Sequence, residues 1–234
     1  MLVTAIIFLA VFVQSSVGFG FALVSMPLLV TLLGIQISAP LVALLAAVSE
    51  VFILIRYRHA LNLRVVSQLV IASVIAIPLG VLALRHLDAA IVTTALGVIL
   101  IAYALYALVS PKLPQLSGRG WTYSFGFVAG LLSGAYNTPG PPVIIFGNCR
   151  GWPPNEFKGN LQGFFLVNSS VVVVVHILSG NYTSDVWTNF LLALPGLALG
   201  LIAGFLLSKR INADLFRKIV LVLLIILGAR LIIG

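Results

Sequence analysis

The sequence predicts an all-α integral membrane protein with two inverted repeats, each made of one broken or re-entrant helical hairpin and three transmembrane helices. Of its 234 residues, 61% are hydrophobic and 8% are charged, a composition that no water-facing globular surface can accommodate. Apolar runs of about 20 residues, the length of one membrane crossing, recur along the chain. Two polar interruptions, 14–20 and 133–142, divide an apolar run in each half. Paired interruptions of this kind indicate the binding site of a transporter.

The first half begins with an apolar run over 2–33 that is too long for one straight crossing. As a single helix with a rise of ~1.5 Å per residue it would reach ~48 Å, whereas the hydrocarbon core of a bilayer is ~30 Å thick. Pro and Gly breaks at membrane depth persist only where protein buries them or where they line a cavity. We therefore expect a break or a hairpin at 14–20, and then transmembrane helices over 38–55, 65–84 and 89–109.

The second half repeats this plan at a spacing of roughly 120 residues, which is the signature of an internal repeat. Its first apolar run, 121–146, contains the interruption at 133–142. Three transmembrane helices are predicted after it, over 157–178, 186–207 and 215–233. A stretch rich in Pro, Gly and Ser separates the halves and is typical of a linker. The predicted division is a first repeat at 1–110, a cytoplasmic linker at 111–120 and a second repeat at 121–234.

The distribution of Lys and Arg distinguishes hairpins from straight crossings. If every segment crosses, the 13 basic residues divide six against seven between the two faces of the membrane. If both broken segments are re-entrant, eleven of the 13 lie on one face and only Arg85 and Arg230 on the other. Cytoplasmic loops carry the excess of Lys and Arg, which also accounts for the net charge of +8. We therefore predict re-entrant hairpins, termini outside the cytoplasm and, with an odd number of crossings per repeat, inverted halves.

The two interruptions are the candidate substrate site. A hairpin tip at mid-membrane presents a helix N-terminus, whose unpaired N–H groups and dipole favour an anion. The predicted substrate-binding residues are Gln14, Ser15, Ser16, Gly18 and Gly20 in the first tip and Tyr136, Asn137, Thr138 and Gly140 in the second. In the second tip we expect donors from the Tyr136 and Asn137 side chains and the N–H groups of Thr138 and Gly140. The alternative is that these glycines and prolines only permit a turn and close helix packing.

A polar stripe follows on the predicted helix 157–178. Asn168 and Ser169 lie near its middle, and Lys158, Gln162 and Ser169 share one face. We expect Gln162, Asn168 and Ser169 to contact the substrate and to guide an anion from the cytoplasm towards the tips.

One acidic residue lies within a predicted crossing. Glu50 precedes Arg56 by six residues, which places it ~9 Å from that end of the helix. An ionised carboxylate at the centre of a bilayer costs at least ~2.5 kcal/mol. Glu50 is therefore either the group that couples transport to protons or a neutral carboxyl bonded to a neighbouring backbone carbonyl.

Glycine and proline residues recur at both breaks and along the adjoining helices. They are Gly18-Phe19-Gly20 and Pro27-Leu28-Leu29 in the first half, and Gly126, Gly130, Ser133-Gly134 and Pro139-Gly140-Pro141 in the second. This pattern, with the size and layout of the whole chain, resembles the sulfite-exporter (TauE/SafE) family of the toluene-sulfonate uptake permease superfamily. The resemblance implies a bacterial inner-membrane transporter that moves sulfite, organosulfonates or related small organic anions, commonly as an exporter.

Two other classes remain open. An anion channel would use the same residues to line a continuous pore. An intramembrane hydrolase would need Ser133 within hydrogen-bond reach of His176, which the predicted topology places too far away. The sequence contains no Gly-x-x-x-x-Gly-Lys-[Ser/Thr] loop, so we expect protons, another coupling ion or the substrate's own gradient to drive transport. The expected partners are the lipid bilayer and a small anion, with no enzyme activity, cofactor, metal or nucleic acid.

Overall fold

The structure is a computed structural model that describes residues 1–109, 114–116, 118–207 and 213–233. Within these ranges the chain forms α-helices and one 3-10 turn, Arg58–Ala60. The helices are α1 Leu2–Val17, α2 Phe21–Leu33, α3 Ile35–Tyr57, α4 Leu63–His86, α5 Ala89–Val109, α6 Arg119–Tyr136, α7 Gly140–Cys149, α8 Pro154–Leu178, α9 Ser184–Leu207 and α10 Ala213–Ile233. The predicted all-α class is confirmed. Most of the predicted linker's first half, and the basic residues Lys112, Lys209 and Arg210 of the charge count, lie outside the described residues.

Five segments of the described chain are long and apolar enough to cross a membrane. They are Ile35–Ala60, Leu63–His86, Ala89–Val109, Pro154–Leu178 and Ser184–Leu207. Large apolar side chains on these helices point outward; Ile75, for example, is 65% exposed and Leu191 is 64% exposed. Such surfaces are stable against lipid chains and not against water. The helices therefore belong to an integral membrane protein, as predicted.

The two broken segments give helices that are too short to span a bilayer. At ~1.5 Å per residue, α1 and α2 reach ~24 and ~20 Å, and α6 and α7 reach ~27 and ~15 Å. All four fall short of the ~30 Å hydrocarbon core. Neither interrupted run therefore forms one continuous spanning helix, which agrees with the breaks predicted from the length of the first run and from the second interruption.

Helices α6 and α7 fold back on each other. The ring centroids of Phe125, early in α6, and Phe146, late in α7, are 5.5 Å apart. At the open end, the Arg150 guanidinium lies 3.5 Å from the Gly118 carbonyl oxygen and 3.4 Å from the Thr122 hydroxyl. The start of α6 and the end of α7 therefore lie at the same end of this helix pair.

The first compact unit contains α1, α2, the start of α3, α5, α9 and α10. Helix α1 packs along α9 so closely that a Cβ atom on Gly196 would lie 2.1 Å from the Thr4 carbonyl oxygen. The Thr4 hydroxyl donates to the Leu192 carbonyl oxygen at 2.7 Å. Helix α5 packs along α10, where a Cβ atom on Gly97 would lie 2.6 Å from the Gly228 carbonyl oxygen. Small residues at such contacts let membrane helices approach backbone to backbone.

The second compact unit contains the rest of α3, α4, α6, α7 and α8. Here α6 packs along α4, and a Cβ atom on Gly130 would lie 2.3 Å from the Ser73 carbonyl oxygen. An apolar cluster of Ala43, Ile77, Val81 and Val172 joins α3, α4 and α8. Glycine packing therefore holds the broken helix of each unit against one long helix.

The two units do not follow the order of the halves. The first unit combines the helix pair α1 and α2 with α9 and α10 from the second half of the chain. The second unit combines α6 and α7 with α4 and most of α3 from the first half. Each unit thus combines one broken segment with helices from both halves of the chain.

Candidate functional site at the helix breaks

The first break is a tight glycine turn between α1 and α2. Gly18 has φ 97° and Gly20 has φ 112°, a region that residues with a side chain rarely adopt. The Gly18 N–H donates to the Gln14 carbonyl oxygen at 2.7 Å and closes the last turn of α1. The turn itself therefore requires the two glycines that the sequence assigns to the site.

Gln14 bridges this break with its side chain. It is 2% exposed, and its Oε1 accepts a hydrogen bond from the Phe21 N–H at 3.1 Å. This bond fixes the orientation of the amide, so Nε2 is the donor end. Within the described part of the chain, Nε2 has no hydrogen-bond partner. A buried donor without an acceptor is costly, so this position favours a ligand that brings one.

The two neighbouring serines differ. The Ser16 hydroxyl oxygen is buried and, among the described residues, has no hydrogen-bond partner. The Ser15 hydroxyl donates to the Val11 carbonyl oxygen at 2.6 Å and lies 3.4 Å from the Gly200 carbonyl oxygen. Ser16 is therefore available to a ligand, whereas Ser15 is engaged in packing α1 against α9.

The second break begins at Asn137, which adopts a left-handed conformation with φ 52° and ψ 29°. The N–H groups of Asn137 and Thr138 donate to the carbonyl oxygens of Ser133 at 2.8 Å and Leu132 at 3.2 Å. This is the usual way of capping a helix C-terminus. The Thr138 hydroxyl donates to the Tyr136 carbonyl oxygen at 2.8 Å. The Thr138 N–H, assigned from the sequence to an anion, is thus occupied by the cap of α6.

The other predicted residues of the second break are buried and lie between the end of α6 and the start of α7. Tyr136 is 7% exposed and Asn137 is 6% exposed, and Gly140 begins α7. Because Pro141 and Pro142 lack an N–H, the Gly140 amide is the one donor among the first three residues of this helix.

The polar stripe on α8 is buried and holds neighbouring helices. The Asn168 amide donates to the Phe164 carbonyl oxygen at 3.0 Å, and its Oδ1 accepts from the Ser73 hydroxyl of α4. Gln162 is fully buried. The Lys158 ammonium lies 5.5 Å from the centre of the Tyr57 ring, so it makes a cation–π contact.

Glu50 is bound to α8. The Ser169 hydroxyl donates to Glu50 Oε2 at 2.5 Å, and Glu50 is 6% exposed. The partner shown for this carboxyl is therefore a serine hydroxyl, whereas one of the two alternatives from the sequence gave it a backbone carbonyl.

Sequence reasoning missed a cluster where α8 meets the turn after α3. The Asn160 Oδ1 accepts from the Asn62 N–H at 2.7 Å, and Glu156 Oε1 accepts from the amides of Asn62 and Asn160 at 3.2 and 3.4 Å. The spacing of Glu156 and Asn160, four residues apart on one helix, was the available signal. His176, the residue that an intramembrane hydrolase would need, is fully buried, and its Nδ1 lies 2.7 Å from the Asn181 amide nitrogen.

These features define a class of protein. The described residues form several apolar helices long enough to span a membrane and also short helices whose breaks carry buried polar groups, and this combination is typical of multi-pass membrane transporters.

The comparison with known proteins identifies the family. The chain belongs to the family Sulfite exporter TauE/SafE, which it matches over residues 3–231. It is 25% identical over 224 residues to the probable sulfite/organosulfonate exporter TauE of Cupriavidus necator, covering 93% of this chain and 88% of the relative. No solved structure matches the chain. The predicted family is thus confirmed, and the protein is a membrane transporter and not an enzyme.

Proposed function

We propose that this transporter exports sulfite, organosulfonates or related small organic anions across the bacterial inner membrane by alternating access. The observation that carries the proposal is the unsatisfied donor end of the buried Gln14 amide at the first break. The printed name of the Cupriavidus necator relative supports the class of anion.

The first break offers several neutral donors to an oxyanion. Gln14 Nε2 carries two N–H groups, and Ser16 adds a hydroxyl. The first turn of α2 adds the N–H groups of Ala22 and Leu23, because the opening amides of a helix have no intrahelical acceptor. Hydrogen bonds to a charged acceptor contribute ~1.5–3 kcal/mol each. Since all of these donors are neutral, we expect binding that is selective for anions and weak enough for release.

The second break supplies a separate set of donors in this proposal. The Tyr136 and Asn137 side chains and the Gly140 N–H are its candidates, and Thr138 has the structural role of capping α6. Asn168 and Ser169 act through the helices that they hold, and Gln162 remains a candidate contact on α8.

The re-entrant and inverted arrangement of the two repeats is part of the same proposal. It is supported by the shared open end of α6 and α7 and by the eleven-to-two division of Lys and Arg. It places both termini outside the cytoplasm and the linker at 111–120 inside.

Glu50 is the proposed proton-coupling group. Its Oε2 accepts a hydrogen bond from the Ser169 hydroxyl of α8, which is a neutral partner. A proton can therefore neutralise the carboxyl within the membrane. The coupled ion would then be H⁺, exchanged by Glu50 as α3 and α8 change their contact.

A panel of anions tests the proposal on purified protein. Sulfite, sulfate, short organosulfonates and short carboxylates are compared by the thermal stabilisation that each produces, because a ligand that binds only the folded state raises the melting temperature. We expect sulfite or an organosulfonate to stabilise most. Equal stabilisation by every anion, or none by any of them, contradicts the proposed substrate class.

A further inference from the structure

The first compact unit contains a groove that the export function does not use. It has a volume of about 360 Å³ and lies where the α2–α3 turn, the start of α5 and the end of α10 meet. This volume is in the range of small-molecule sites. We propose that the groove binds an anionic phospholipid, with the phosphate at Arg230 and the beginning of an acyl chain along the apolar wall.

The charge of the groove selects an anion. Arg230, in the last turn of α10, is the one charged side chain among the residues that line it, all of them in the described ranges. Thr93 and Thr94 of α5 add hydroxyl groups. The nearby Asp88 does not line the groove, and its carboxylate accepts the Ala90 N–H at 2.7 Å at the start of α5. A guanidinium beside hydroxyls matches a phosphate diester.

The walls of the groove select an amphiphile. The wall of the groove is mostly apolar and includes Val30, Ile35, Leu231 and Ile232. Such a wall offers no hydrogen-bonding partner to a small hydrophilic anion. The groove also lies at helix ends: Gly34 separates α2 from α3, and Arg230 is three residues from the end of α10. The ends of membrane-spanning helices such as α5 lie at the depth of lipid headgroups, where Arg side chains extend to reach phosphates. An acyl chain on the apolar wall and a phosphate on Arg230 satisfy both parts of the groove.

The test measures lipid-dependent stabilisation of the purified, full-length protein in detergent. Phosphatidylglycerol and phosphatidylcholine are added separately to the wild type, to Arg230→Gln and to Arg85→Gln. Arg85 is the matched control, because it is the other basic residue predicted on this face and does not line the groove. We expect phosphatidylglycerol to raise the melting temperature of the wild type and Arg85→Gln by ~2–4 °C. The rise in Arg230→Gln should be less than half of this.

Each variant is compared with its own lipid-free baseline, so a general loss of stability does not hide the effect. Thr94→Val, which keeps the side-chain volume, should show an intermediate rise. An equal rise in melting temperature in Arg230→Gln, or an equal rise with phosphatidylcholine in every variant, would overturn the proposal.

Free glycerol phosphate and sulfite are tested in the same way. If either one reproduces the Arg230-dependent rise in melting temperature, the groove is a small-anion site. Sulfite affinity should be the same in Arg230→Gln and the wild type, so this inference and the export proposal can fail separately.

Discussion

Replacing the amide of Gln14 tests the donor role of the first break. In Gln14→Glu, one carboxyl oxygen can still accept the Phe21 N–H, the bond that is 3.1 Å long in the structure. The second oxygen replaces Nε2 and its two N–H groups, which have no partner among the described residues. The substitution therefore preserves the link across the break while removing both N–H donors of the amide.

The expected loss follows from the bonds removed. One hydrogen bond to a charged acceptor contributes ~1.5–3 kcal/mol, and ~1.4 kcal/mol corresponds to a tenfold change in Kd. We therefore expect sulfite to bind Gln14→Glu roughly tenfold to hundredfold more weakly, measured by calorimetry on purified protein. Gln14→Met, which has a similar length and no donor, should lose affinity in the same range.

The matched control is the neighbouring serine. Ser15→Ala removes a hydroxyl whose hydrogen bond goes to the Val11 carbonyl oxygen and not to the substrate, so we expect its Kd to stay within about threefold of the wild type. Ligand-free melting temperatures show whether each variant is folded. If folded Gln14→Glu and Gln14→Met both bind sulfite as tightly as the wild type, Gln14 is not a substrate donor and the reasoning is refuted.

Four further predictions concern the second break, proton coupling, helix packing and topology. Asn137→Gly keeps the left-handed backbone but removes the side chain, and transport in proteoliposomes should fall at least tenfold; an unchanged rate excludes Asn137 from the site. Glu50→Gln keeps an oxygen that can accept from the Ser169 hydroxyl but carries no titratable proton. Transport should therefore lose its dependence on a pH gradient. If that dependence persists, another residue couples transport to protons. Gly130→Ala places a Cβ atom 2.3 Å from a carbonyl oxygen of α4 and should destabilise the fold by ~1–3 kcal/mol. The control is Gly120→Ala, which should leave the melting temperature unchanged because no atom lies within 4 Å of the added Cβ atom. Gln115→Cys should react with impermeant thiol reagents only from the cytoplasmic side; labelling from outside would reverse the topology.

Hydropathy and turn chemistry located the helices because both depend on local sequence. The predicted helix 89–109 coincides with α5, and the two predicted breaks fall where Gly18, Gly20 and Asn137 take left-handed conformations. Helix starts were less accurate; α3 begins at Ile35 rather than at 38, because Gln36 and Ser38 interrupt the apolar run in its first turn.

Helix pairing and the exact roles of polar groups could not be read from the sequence. Hydropathy gives the length of an apolar helix but not its neighbour, so the packing of α1 on α9 appears only in the structure. The N–H of Thr138 was assigned to a ligand because its competitor, the Leu132 carbonyl six residues earlier, depends on the left-handed turn at Asn137. Likewise, the Ser73 partner of Asn168 lies 95 residues away, and no local pattern connects the two.

Counterflow in proteoliposomes tests the central claim most directly. Vesicles containing the purified protein are loaded with unlabelled sulfite and diluted into a trace of labelled sulfite. A transporter that alternates around one binding site must accumulate the label transiently above its external concentration, and this overshoot should disappear in Gln14→Glu. A flux that shows no overshoot and does not saturate with sulfite would indicate a channel, and a full overshoot in Gln14→Glu would place the binding site elsewhere.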